Sequence, residues 1–245
     1  MVNTTRVLQP TGIGFRTKER KLHPLMAVSY DKIIGNAAFR EVSSESIARV
    51  SLSSRVTGYV CVPTNRRRID GVVVYFHGAG GNGAWNVELM IDLFPKHLIF
   101  CPSLGFNCTK SDSESVHNWI QDAAEALDMT RKVSSKKLTI VFLSDGRLPA
   151  EDFLEAYEDE IDSVLGLSSC PPNKSMYGEY PMLMISGEND QRFTASNIKK
   201  YTTQRTKAGH ETGCVIIEDA DHFMVLSHRK SLLRSLSKST LFSES

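Results

Sequence analysis

The sequence predicts an α/β protein with a mostly parallel central sheet and helices on both faces. Three observations point to this class. Short runs that are apolar on both faces recur at Gly71–Phe76 (GVVVYF), Leu138–Leu143 (LTIVFL) and Met182–Ser186 (MLMIS), and a strand with no polar face suits a sheet covered on both sides. Segments with helical spacing alternate with these runs, as right-handed crossovers between parallel strands require. The runs end in turn residues, among them Ser144-Asp145-Gly146 and Gly187-Glu188-Asn189-Asp190. Such turns gather at the carboxyl edge, where open α/β sheets bind ligands.

At 245 residues, 41% hydrophobic and 23% charged, the chain can bury the core of one soluble α/β domain. A net charge of +1 gives no electrostatic case for nucleic acid or an anionic membrane. No apolar run approaches the roughly 20 residues needed to span a bilayer, and the N-terminus lacks the apolar core of a secretory signal. Cys61, Cys101, Cys108, Cys170 and Cys214 contain no CxxC pair and read as reduced thiols. The Asn3, Asn107 and Asn173 N-x-S/T triplets then read as chance matches. The expected location is the cytoplasm, and no metal or organic cofactor is expected.

Residues 1–45 show scattered basic residues and no sustained periodicity. They read as an N-terminal extension that wraps the domain or is partly disordered, and that offers a contact for a protein partner. Residues 46–240 carry the regular pattern and form the expected domain. Ile47–Leu52 and Val56–Val62 read as an antiparallel hairpin at the sheet edge, and Arg66-Arg67-Arg68 as a solvated loop. Gly71–Phe76 is a buried strand that runs into the glycine-rich His77-Gly78-Ala79-Gly80-Gly81-Asn82-Gly83. A helix around Trp85–Phe94 precedes the strand Leu98–Cys101. Ile120, Ala123, Ala124 and Leu127 give helical spacing over Val116–Val133. After Leu138–Leu143 come an acidic helix over 150–161 and the strand Val164–Leu167. Met182–Ser186, a helix over Ser196–Lys207, the strand Cys214–Glu218 and a helix over Leu226–Leu236 complete the pattern.

Three chemical groups thus fall at the ends of three strands: Ser144, Asp190 and His222. A serine hydroxyl is a poor nucleophile at neutral pH. It needs an imidazole to take its proton and a carboxylate to fix the imidazole tautomer. Ser144 follows a buried strand and precedes a helix, as in a nucleophile elbow, although a plain βα turn uses the same residue types. Glu188 is the alternative acid. His210 falls at the amino end of the last strand and His228 within the terminal helix, which leaves His222 as the candidate base. His77 suits hydrogen-bonded support of the glycine-rich loop better than a base.

GVVVYFHGAGGNG, LTIVFLSDG, PMLMISGEND and VIIEDADHF, in this order, resemble the α/β-hydrolase fold superfamily over residues 46–240, specifically its small carboxylesterases and lipases. That resemblance implies a serine hydrolase acting on a carboxylic ester, or a thioester or amide, through a Ser144-His222-Asp190 triad and an acyl-enzyme. It places the oxyanion between the amides of Ala79 or Gly80 and of Asp145. The short segment between 167 and 182 implies no cap domain and a shallow pocket. Three residues depart from the family pattern: Phe142 and Arg147 stand where small residues are usual, and Asp145 sets a carboxylate beside the oxyanion site. They motivate the alternative reading, as does the extension over residues 1–45: a catalytically weak or inactive module used for binding or assembly. A Ser144 hydroxyl within reach of a His222 nitrogen discriminates between the two.

Overall fold

The computed structural model describes residues 7–10, 47–51, 56–63, 69–79, 87–103, 113–126, 130–171 and 178–239. The arginine run 66–68, residues 80–86, Cys108 and the three N-x-S/T triplets lie outside that set. The strands are β1 (Val7–Pro10), β2 (Ile47–Ser51), β3 (Thr57–Cys61), β4 (Gly71–Phe76), β5 (His97–Ser103), β6 (Lys137–Leu143), β7 (Ser163–Leu167), β8 (Met182–Gly187) and β9 (Thr212–Ile217). They form one nine-stranded sheet in the order β1-β2-β3-β5-β4-β6-β7-β8-β9. The pairs from β5 through β9 are parallel, while β1, β2 and β3 extend the sheet antiparallel. The expected hairpin of β2 and β3 is present. It lies one strand inside the edge, because Val7–Pro10 pairs outside β2.

Strand alternation explains why the central runs have no polar face. In β4, Val72, Val74 and Phe76 join one core, whereas Val73 and Tyr75 join the other. The helices are α1 (Val87–Leu93), α2 (Ser113–Ala126), α3 (Thr130–Ser135), α4 (Arg147–Ala156), α5 (Ala195–Lys207), α6 (Met224–Ser227) and α7 (Arg229–Ser237). Trp119 of α2, Phe153 of α4 and Tyr201 of α5 fill the first core. Met90 of α1, Met224 of α6 and Leu232 of α7 fill the second. The helix expected over 116–133 occurs as two, α2 and α3, and the terminal one divides at His228 into α6 and α7. The acidic helix begins earlier than expected, directly after the Ser144 turn, and its 158–160 end is a separate 3-10 turn. No helix among the described residues is long and apolar enough to cross a membrane.

Candidate active site

The site is built at the carboxyl edge of β6, the strand hydrogen-bonded to β4 on one side and β7 on the other. Ile140 to Leu143 are buried, so burial in two cores holds the strand end rigidly. The chain then turns sharply into a 3-10 turn, Ser144–Gly146, and straight on into α4. Ser144 adopts φ +52°, a left-handed conformation that costs a serine on the order of 1–3 kcal/mol and persists only where the surroundings impose it. One such constraint is Gly146: a Cβ there would lie 2.3 Å from the Phe76 carbonyl oxygen. Only glycine lets the turn pass so close to the end of β4. The other is Ser169, whose buried hydroxyl donates to the Ser144 carbonyl at 2.6 Å.

The candidate acid, Asp190, lies on the turn after β8. Asp190 Oδ1 accepts the amides of Arg192 at 2.8 Å and Phe193 at 2.9 Å. This is the local pattern an aspartate adopts when it caps its own turn. The candidate base, His222, lies on the turn after β9. The two turns are tied by hydrogen bonds from the Glu188 amide to the Ile217 carbonyl at 2.9 Å and from the Asn189 amide to the Ala220 carbonyl at 2.8 Å. Gly187 permits this contact, since a Cβ there would meet the Ala220 oxygen at 2.3 Å.

The consequence is a continuous chain of hydrogen bonds. His222 Nδ1 lies 2.9 Å from Asp190 Oδ2, and His222 Nε2 lies 3.0 Å from Ser144 Oγ. With the Nδ1 proton held by the carboxylate, Nε2 is left to accept from the serine hydroxyl. Burial alone would raise the Asp190 pKa. The hydrogen bonds from His222 and from the Phe193 and Arg192 amides outweigh it and hold the carboxyl below its ordinary value. Asp190 is therefore ionised at neutral pH. Such an arrangement can take a proton from Ser144 and stabilise the imidazolium that results. Phe193 stacks on the His222 ring at a centroid distance of 5.8 Å, which restrains its plane.

The other sequence candidates resolve by position. Glu188 is exposed and accepts the Asp219 amide at 3.2 Å. His210 precedes β9 at the opposite edge of the sheet, and His228 lies between α6 and α7. His77 is fully buried, 2.9 Å from the Gly78 carbonyl, and burial lowers its pKa to about 4. It is thus neutral at pH 7. Ala79 follows close by, since a Cβ on Gly78 would lie 3.3 Å from Ser144 Cβ. Gly80 lies outside the described residues. Among the described residues, no group of three or more His, Cys, Asp or Glu side chains is placed to hold a metal.

The three departures from the family pattern each have a physical accommodation or a distinct place. Phe142 is buried directly opposite Gly166 of β7. Asp145 forms an ion pair with the Arg192 guanidinium. Arg147 sets its Cζ 5.4 Å from the Phe193 ring centroid. Ser169, Phe193 and the Arg192 side chain were not singled out from the sequence. The D-x-R-F spacing after β8 could have flagged the Asp190 turn, but nothing local marks Ser169.

No protein-family profile matches this sequence, and no curated protein sequence does. Solved structures do resemble it. A dienelactone hydrolase from Anabaena variabilis superposes with a TM-score of 0.59 at 16% identity, covering 78% of this chain and 93% of that one. Naproxen esterase (carboxylesterase NP) from Bacillus subtilis gives 0.58 at 12% identity, with 86% and 95% covered. A thermophilic esterase from Thermogutta terrifontis gives 0.56 at 11% identity, with 78% and 97% covered. At these identities the likeness establishes the α/β-hydrolase fold.

Proposed function

We propose that the protein is a serine hydrolase that cleaves a carboxylic ester, or a thioester or amide, through an acyl-enzyme. The observation that carries this reading is the continuous Ser144–His222–Asp190 chain, at 3.0 and 2.9 Å, ending on a serine in a left-handed turn. His222 Nε2 takes the hydroxyl proton as Ser144 Oγ bonds to the carbonyl carbon. Asp190 keeps the imidazole oriented and balances its charge. The carbonyl electrons move onto oxygen, which the amides of Asp145 and of Ala79 or Gly80 receive. The imidazolium then protonates the leaving alcohol, and water repeats the sequence in reverse to free the acid. The names of the structural neighbours, esterases and a hydrolase, point the same way.

The binding-module alternative drew on Phe142, Asp145 and Arg147 and on the N-terminal extension over residues 1–45. The space at Gly166 and the partner at Arg192 answer the points raised by Phe142 and Asp145, which favours the hydrolase reading. Labelling by a fluorophosphonate, which reacts with a serine activated by its base, tests the proposal. The intact protein should label strongly, and Ser144→Ala and His222→Ala should not. Absence of labelling in folded wild-type protein would overturn it.

A further inference from the structure

Two arginines stand beside the Ser144 turn. Two guanidiniums flank the Phe193 ring, Arg147 at 5.4 Å and Arg192 at 5.5 Å from its centroid. That ring is the one stacked on His222. Arg192 is engaged by Asp145, so these two charges cancel beside the serine. Asp190 faces His222 and the turn amides. Arg147 is different. Among the described residues no carboxylate forms an ion pair with it. Its Nε is buried with no hydrogen-bond partner. A guanidinium N–H removed from water and left unpaired is costly, and the cost falls three residues after the nucleophile, at the start of α4. Its charge also reaches Cys170, on the segment that follows β7 and carries Ser169. Arg147 therefore stands between the loops after β7 and β8, on the Ser144 edge of the sheet.

We infer that the preferred substrate is an ester bearing a free carboxylate, received by the Arg147 guanidinium while the ester carbonyl lies at Ser144. The inference rests on the hydrolase reading above. A guanidinium presents parallel N–H donors that match a carboxylate two-to-two, and the pair is strongest where water is excluded. The bound carboxylate balances a guanidinium charge that has no carboxylate partner among the described residues.

Two matched pairs of esters test this and separate an acyl-side from an alcohol-side carboxylate. The first pair is p-nitrophenyl hemisuccinate against p-nitrophenyl butyrate. The second is para-acetoxybenzoate against its methyl ester. In one pair the wild-type protein should favour the anionic member by roughly tenfold or more in kcat/KM, about the worth of one charge-assisted hydrogen bond. The preference should lie mainly in KM, since the carboxylate is bound equally in ground and transition states. Arg147→Gln should bring the ratio close to one, and Arg147→Lys should keep part of it. Equal use of both members in both pairs by wild type, or an unchanged ratio in Arg147→Gln, overturns the inference. If fluorophosphonate labelling and all four esters fail, the hydrolase reading falls by itself. The anion site is then judged by calorimetric titration with glutarate. Binding by wild type that is lost in a folded Arg147→Gln variant sustains the site, and binding that is absent or unchanged rejects it.

Discussion

Phe142 and Gly166 face one another across the β6–β7 pair, and the missing side chain of one is the space for the ring of the other. A Cβ on Gly166 would lie 2.8 Å from Phe142 Cε2 and 2.5 Å from Met184 Cε, and Met184 is the next residue in register on β8. The large residue two positions before the serine is thus absorbed by a small one on the neighbouring strand. The turn itself is not displaced.

Gly166→Val should accordingly destabilise the fold by about 1–3 kcal/mol through overpacking. Because Phe142 leads directly into the Ser144 turn, hydrolysis should fall as well. Adding Phe142→Leu should recover part of both losses, since the two sites share one volume. Urea unfolding of the two single variants and the double variant measures the coupling. Strict additivity would show that the two side-chain positions do not share that space.

Asp145 and Arg192 make a second testable pair. Arg192→Ala keeps the backbone amide that serves Asp190 but leaves the Asp145 carboxylate unbalanced beside the proposed oxyanion site. The expected result is a fall in kcat of roughly tenfold, since charge near the developing oxyanion acts in a poorly screened site. Asp145→Asn added to that variant should restore most of the rate. A double variant no faster than Arg192→Ala would point to a different role for the arginine.

The choice between two carboxylates after β8 is open to direct measurement. Asp190→Asn should lower kcat by about three to four orders of magnitude, because the imidazole loses its tautomer and its counter-charge. Glu188→Gln, on an exposed side chain, should leave kcat within roughly threefold of wild type. The reverse ranking would reassign the acid.

His77 makes stability depend on pH. Burial lowers its pKa from 6.5 to about 4 in the folded protein, so the unfolded chain takes up a proton first as pH falls. Stability is complete above about 6.5 and declines between there and about 4, by on the order of 3 kcal/mol from this residue. Denaturant unfolding across that window should show a smaller loss in a folded His77→Gln variant than in wild type. Parallel profiles for the two would mean that His77 does not titrate as its burial implies.

Much of this arrangement is legible in the chain. Runs such as GVVVYF and LTIVFL have no polar face, so they can be stable only between two apolar layers, and that requirement alone demands the doubly covered sheet. The order of Ser144, Asp190 and His222 at three strand ends is likewise a property of the sequence, as is the glycine that lets the elbow pass β4. Tertiary structure decided the rest, because it depends on which strands become neighbours. Nothing local in Val7–Pro10 announces that it will pair outside β2, since an edge strand is specified by backbone hydrogen bonds open to many sequences. The acceptability of Phe142 is decided by Gly166, a residue remote in the chain and adjacent only once β6 and β7 pair. The same holds for Asp145, whose charge is balanced by an arginine on another loop, and for Arg147, whose guanidinium lies against the Phe193 ring from the turn after β8. Volume and charge are compensated in space, and the chain order records only one half of each compensation.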